Sequence, residues 1–174
     1  MKLRTIPALL AVALLAGCSS ENGDTEAGVT PTESIEVTTS STPVFQAEEV
    51  EPVTAPTGEE VMEDPGLHLE VIFQGTGYGT NGGSIIYVAI KNLNDAPLPV
   101  DALAAPTLQL EDSNGNKTDI EPLTGDDNIP LDLPLGAGAT TNLQYAFNTS
   151  NSSLWSAEFK IGNVIYSGNL NNLG

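Results

Sequence analysis

The chain has 174 residues with 23 acidic and 5 basic side chains, a formal net charge of −18. That balance repels phosphate and anionic headgroups, so it excludes nucleic-acid or membrane binding through a basic surface and leaves cations or basic partners. With one cysteine, Cys18, and one histidine, His68, no intrachain disulfide, cysteine metal cluster or multi-histidine site can be built.

Lys2 and Arg4 open the chain, Ile6 to Ala16 is an eleven-residue apolar run broken only by Pro7, and small residues follow at Gly17, Ser19 and Ser20. This is the three-part plan of a secretory signal. Eleven helical residues rise only about 16 Å against a hydrocarbon core of roughly 30 Å, which disfavours a permanent span. The sequence Leu15-Ala16-Gly17-Cys18 resembles the lipobox of bacterial lipoproteins. That resemblance implies removal of residues 1–17 as a signal peptide, a covalent diacylglyceryl lipid on Cys18, and a chain held through this anchor to the extracytoplasmic face of the cell membrane. Each buried CH₂ contributes about 0.8 kcal/mol, so two or more acyl chains make a long-lived tether. An ordinary signal peptide beside an unmodified cysteine is the alternative.

Twelve acids lie between Glu21 and Asp64 with no Lys or Arg among them, in a stretch rich in Thr, Ser, Pro and Glu. Its isolated Val and Ile residues keep neither a period of 2 nor of 3.6, and five prolines from Pro31 to Pro65 interrupt any helix. Too little apolar surface offsets the entropy of ordering, so residues 18–66 are expected to be a disordered acidic linker, extended by self-repulsion. Thr38 to Pro43 is a candidate glycosylation segment within it.

The domain is expected over residues 67–174, about 108 residues with room for one modest core. Leu67, Leu69, Val71 and Phe73 alternate with His68, Glu70 and Ile72, which reads as a first strand with His68 on its solvent side. Ser84 to Lys91 is apolar on both parities and suits a central strand. Leu108 and Leu110 mark a short strand running into a hairpin tip at Asn114-Gly115. Leu143, Tyr145 and Phe147 alternate with polar and small residues, Trp155, Ala157, Phe159 and Ile161 repeat the pattern with Trp155 in the core, and Val164 to Tyr166 forms a last strand. Short strands separated by turn residues predict an all-β sandwich.

Three segments carry a family resemblance: Tyr87-Val88-Ala89-Ile90-Lys91-Asn92, then Leu108-Gln109-Leu110-Glu111-Asp112 with Asn114-Gly115, then Leu135-Gly136-Ala137-Gly138 leading into Leu143 to Phe147. Together they resemble the immunoglobulin-like domain of unknown function on Gram-positive and actinobacterial lipoproteins. The resemblance implies an immunoglobulin-like antiparallel β-sandwich at the cell surface and carries over no catalytic residue.

Gly77 to Gly82 has the glycine spacing of a dinucleotide-binding loop, but a β-branched strand follows where a helix N-terminus is needed, so no nucleotide is expected. A mobile loop with Tyr78 at its centre is a candidate partner surface, as are Asp126 and Asp127. Asp112, Asn114, Asn116, Thr118 and Asp119 place oxygens at alternating positions, as a calcium loop does, although Gly115 comes at the fourth position and Leu123 at the twelfth. Calcium is therefore the candidate metal and a plain hairpin the competing explanation. His68 could serve a catalytic triad only alone, and paired carboxylates for glycan hydrolysis have no specific spacing here. The sequence thus predicts a non-enzymatic module, without a cofactor beyond its lipid, that contacts an envelope protein or cell-wall polymer. A small-ligand or cation binder using acidic loops is the alternative, and a carboxylate-dependent glycan hydrolase a further one.

Overall fold

In the computed structural model the described residues are 41–56 and 58–173. The lipobox residues Leu15, Ala16, Gly17 and Cys18, with residues 18–40 of the expected linker, lie outside them. The described residues hold nine strands: β1 (Val53–Thr54), β2 (Val61–Asp64), β3 (Leu69–Tyr78), β4 (Ser84–Asn92), β5 (Thr107–Glu111), β6 (Lys117–Ile120), β7 (Thr140–Phe147), β8 (Ala157–Ile161) and β9 (Val164–Gly168). The only helical pieces among the described residues are short 3-10 turns. The fold is all-β, as the alternating patterns predict.

One sheet has the order β2-β3-β4-β7 and the other β1-β9-β8-β5-β6. Neighbouring strands are antiparallel except β1 and β9, which run parallel with Val53 opposite Val164. β4 is the central strand its double apolar parity predicts: Ile86, Val88 and Ile90 join the core, and Ile85 and Ala89 are buried as well. The sheets meet through aromatic contacts, with Phe73 of β3 against Phe159 of β8 (ring centroids 6.3 Å apart) and Tyr166 of β9 (5.2 Å), and Phe147 of β7 edge-on to Phe159 (6.2 Å). Such contacts add to area burial. Tyr166 is wholly buried, and its hydroxyl lies 2.9 Å from the Val71 carbonyl oxygen and 3.0 Å from that of Glu60. Burial raises its phenol well above the ordinary value.

The linker boundary expected at residue 66 is too far along the chain. From Phe45 on, the described residues before Leu67 belong to the sandwich: Phe45, Val53 and Met62 pack against the core, Ala55 is buried within it, and β2 pairs with β3 along its length. Main-chain bonds from Glu48 N to the Gly66 carbonyl and from Val53 N to the Asn163 carbonyl, both 2.8 Å, fasten the segment. The acidic composition misleads because Glu59, Glu60 and Glu63 are exposed, while Met62 between them packs against the core.

Two further expectations are corrected. His68 precedes β3, in the turn after β2, at φ 50°, a left-handed conformation unusual for a residue with a Cβ. Trp155, expected in the core, ends a 3-10 turn (Asn151–Trp155) and is 59 % exposed; Leu154 beside it is the residue buried. The alternation that includes Trp155 starts one residue pair later, at Ala157.

Candidate functional site

After β6 the chain leaves its sheet and runs along the outer edge of β7 in the other sheet. Leu123 N donates to the Ala146 carbonyl (2.8 Å), and Ile129 and Gln144 exchange main-chain bonds of 2.8 and 3.0 Å. Asn128 clamps the segment from within: its Oδ1 accepts from Ala146 N at 2.9 Å and its Nδ2 donates to the Leu123 carbonyl at 2.5 Å. Pro122 and Pro130 flank this crossover, and a residue without an N–H suits the border of a sheet edge.

The crossover does not fill the space beside β7. A cavity of about 410 Å³ remains, walled by Pro106 ahead of β5, by Pro122, Leu123 and Pro130 of the crossover, and by Tyr145 and Phe147 of β7. Its volume falls in the range of small-ligand sites, and its walls are mostly apolar. Tyr145 is 7 % exposed, and its hydroxyl has no hydrogen-bond partner among the described residues. Every fully buried polar side-chain atom there does have a partner, so this hydroxyl is reached by solvent. Burial pushes the phenol up to about 12, which keeps it neutral and able both to donate and to accept.

A second, polar cleft of about 160 Å³ adjoins the first and shares Leu123, Thr124, Gly125 and Asn128 with it. Asp126 and Asp127 line it. Asp127 Oδ2 accepts from Thr80 N at 2.8 Å and from the Thr80 hydroxyl. Asp126 has no hydrogen bond or ion pair among the described residues and is exposed. The two acids singled out in the sequence therefore do sit at one place, beside a cavity that the sequence did not reveal.

The calcium candidates are not gathered in this way. Asp112 Oδ1 accepts from the main-chain N–H groups of Asn114 and Asn116 (2.8 and 2.9 Å), and its Oδ2 from Asn116 Nδ2 (2.9 Å), so the carboxylate closes its own hairpin around Gly115, whose φ is +80°. Asp119 lies on β6 and accepts from Gln109 Nε2 at 2.7 Å. No group of three His, Cys, Asp or Glu side chains converges as metal ligands among the described residues.

Tyr78 is 85 % exposed at the end of β3. A register slip between Phe73 and Gly75 moves Thr76 and Tyr78 onto the parity of Ile86, so the ring leaves the core side only at the strand's end. The glycine-rich run continues as a 3-10 turn, Thr80–Gly82, and β4 follows. Part of the expected mobile loop is thus regular structure, tied down by Thr80 to Asp127.

Hydrogen bonds hold both anchored carboxyls below their ordinary 3.8: for Asp112 chiefly the Asn116 side chain, for Asp127 chiefly the Thr80 hydroxyl. Because the folded values are depressed, these contacts stabilise fully above the unfolded value and fade only as pH falls through the folded one. In a carboxyl-detected NMR titration both side chains are expected to titrate below pH 3.8. A midpoint for Asp127 at or above that value would mean that the Thr80 contact is not kept in solution.

Sequence reasoning missed Tyr145, Leu123 and Asn128 as site residues. The signal present was an aperiodic segment of Pro, Gly and Leu between two strands, with no period to say where it packs. Comparison with protein-family models, with curated proteins and with solved structures finds no match for this chain.

Proposed function

We propose that the chain is a lipid-anchored, non-catalytic binding module of the cell envelope, an immunoglobulin-like sandwich held at the outer membrane face through Cys18. The observation that carries the binding half is the preformed cavity beside β7: a concave, nearly apolar surface that includes Tyr145, whose hydroxyl has no partner among the described residues. Such a surface supplies burial and orientation, but its walls hold no paired acid and base and no activated nucleophile. The location half is supported by Cys18, the sole cysteine, directly after a short apolar run and small residues. The lysine-poor surface of the domain favours partners that are neutral or basic, among envelope proteins or wall polymers.

Fractionation tests the anchor. The wild-type chain is expected in the membrane fraction with its mature N-terminus at a lipidated Cys18, and Cys18→Ala in the medium or uncleaved. A fully processed Cys18→Ala chain that stays with the membrane would refute the anchor.

A further inference from the structure

We propose that the cavity beside β7 and the acidic cleft adjoining it form one site for a small cationic amphiphile, whose apolar body lies against Leu123 and Phe147 and whose ammonium group faces Asp126 and Asp127. This gives the binding reading above a ligand and rests on it.

Three independent observations converge on that chemistry. The first is shape. The cavity is large enough for a compact aromatic or branched aliphatic body, and its wall is fixed, because Asn128 bonds both to β7 and to the Leu123 carbonyl. A gap produced by loose packing would have no such clamp.

The second is the Tyr145 hydroxyl. The Tyr145 ring is more than nine-tenths buried and lines the cavity, while its hydroxyl has no partner among the described residues and is reached by solvent. A ligand polar atom can therefore take the place of water on it.

The third is charge. The cavity and the cleft share four lining residues, and Asp126 and Asp127 lie in the chain between Gly125 and Asn128, which line both. Asp127 is fixed by Thr80, and Asp126 is uncompensated. Of the three lysines in the described domain, Lys117 is paired with Glu158 at 2.6 Å and Lys91 lies 4.0 Å from Glu70. No basic side chain lines either space, so an anionic head is repelled and an ammonium attracted.

The test uses residues 19–174, which retain the whole compact unit, and three probes of nearly equal shape: phenethylamine, 2-phenylethanol and phenylacetate. In protein-observed NMR titrations the amine is expected to shift Leu123, Tyr145 and Phe147, with a dissociation constant from about 0.1 to a few millimolar. It should bind about tenfold tighter than phenylacetate, the alcohol falling between them. Asp126→Asn should remove most of the advantage of the amine over the alcohol. Tyr145→Phe, which keeps the ring, should weaken amine and alcohol alike by about threefold to tenfold. Leu123→Trp should block the cavity; if it disturbs the fold, judged by loss of a dispersed spectrum, the Tyr145→Phe result decides. Absence of shifts at these residues with any probe at 10 millimolar (about a hundredfold above the tight end of the expected range) overturns the site. Phenylacetate binding as tightly as the amine overturns the cationic preference. Neither result alters the outcome of Cys18 fractionation, so a failed ligand and a failed anchor are told apart.

Discussion

Asp64→Ala is expected to destabilise the sandwich by about 4 kcal/mol, more than any other surface-to-core polar change in the domain. Asp64 ends β2 and is wholly buried, yet its carboxyl serves four donors. Oδ1 accepts from Gly66 N, Leu67 N and Asn163 Nδ2, each at 2.9 Å, and Oδ2 accepts from Asn163 N at 2.7 Å. One side chain thereby closes the β2–β3 turn and joins it to the β8–β9 turn of the other sheet. Removing it strands main-chain donors away from water, each at a cost of about 1 to 3 kcal/mol. Gly162 shows how tightly the site is built: at φ +56° a Cβ there would stand 2.3 Å from Asp64 Oδ2. Thermal unfolding measures the effect, with an expected fall of roughly 15 °C. Asp64→Asn should fall between, since its amide meets one donor with another. Asp132→Ala, at an exposed position, should stay within about 0.5 kcal/mol of wild type. A melting point for Asp64→Ala within two or three degrees of wild type (well under 1 kcal/mol) would show that the network holds nothing together.

Asn92→Ala is expected to cost about 3 kcal/mol by urea unfolding. Asn92 closes β4 with no exposed surface. Its Nδ2 faces the carbonyls of Ala96 and Leu135 at 2.9 Å and of Gly136 at 3.2 Å, while its Oδ1 accepts from the main-chain and side-chain nitrogens of Asn94 at 3.0 and 2.8 Å. The loop after β4 and the end of the crossover segment, which also pair at Leu98 and Leu135, are thus held by one amide. Asn92→Asp separates hydrogen bonding from packing: it keeps the shape but turns an oxygen toward three carbonyls. At neutral pH it should be at least as destabilising as alanine. If Asn92→Asp unfolds at the urea concentration of wild type, the amide donors contribute nothing.

Strands β3, β4, β7 and β8 were legible because each is long enough to repeat an apolar parity and each packs that parity against the other sheet. β1 and β2 were not. β1 has two residues, and in β2 the inward positions are Met62 and Asp64, so the pattern shows one apolar residue and a buried carboxyl that looks like solvent-facing charge. Only the partners of Asp64, of which Asn163 is 99 residues away, explain why an acid belongs there. The candidate site divides along the same line. Asp126 and Asp127 stood out as charges in a loop, whereas the cavity depends on where Pro122 to Pro130 lies against β7. That placement is set by Asn128 and by main-chain bonds, which leave no periodic trace.

The parallel pairing of β1 with β9 has a kinetic consequence. Chains are made from the N-terminus, and Val53 waits for Val164, Asp64 for Asn163, and the Glu60 carbonyl for the Tyr166 hydroxyl 106 residues later. Closing loops of that length is entropically expensive before any contact rewards it, and folds dominated by such contacts form slowly. β2 has its neighbour β3 as soon as that strand is made, but β1 stays without a partner strand until β9, the last one, has been synthesised.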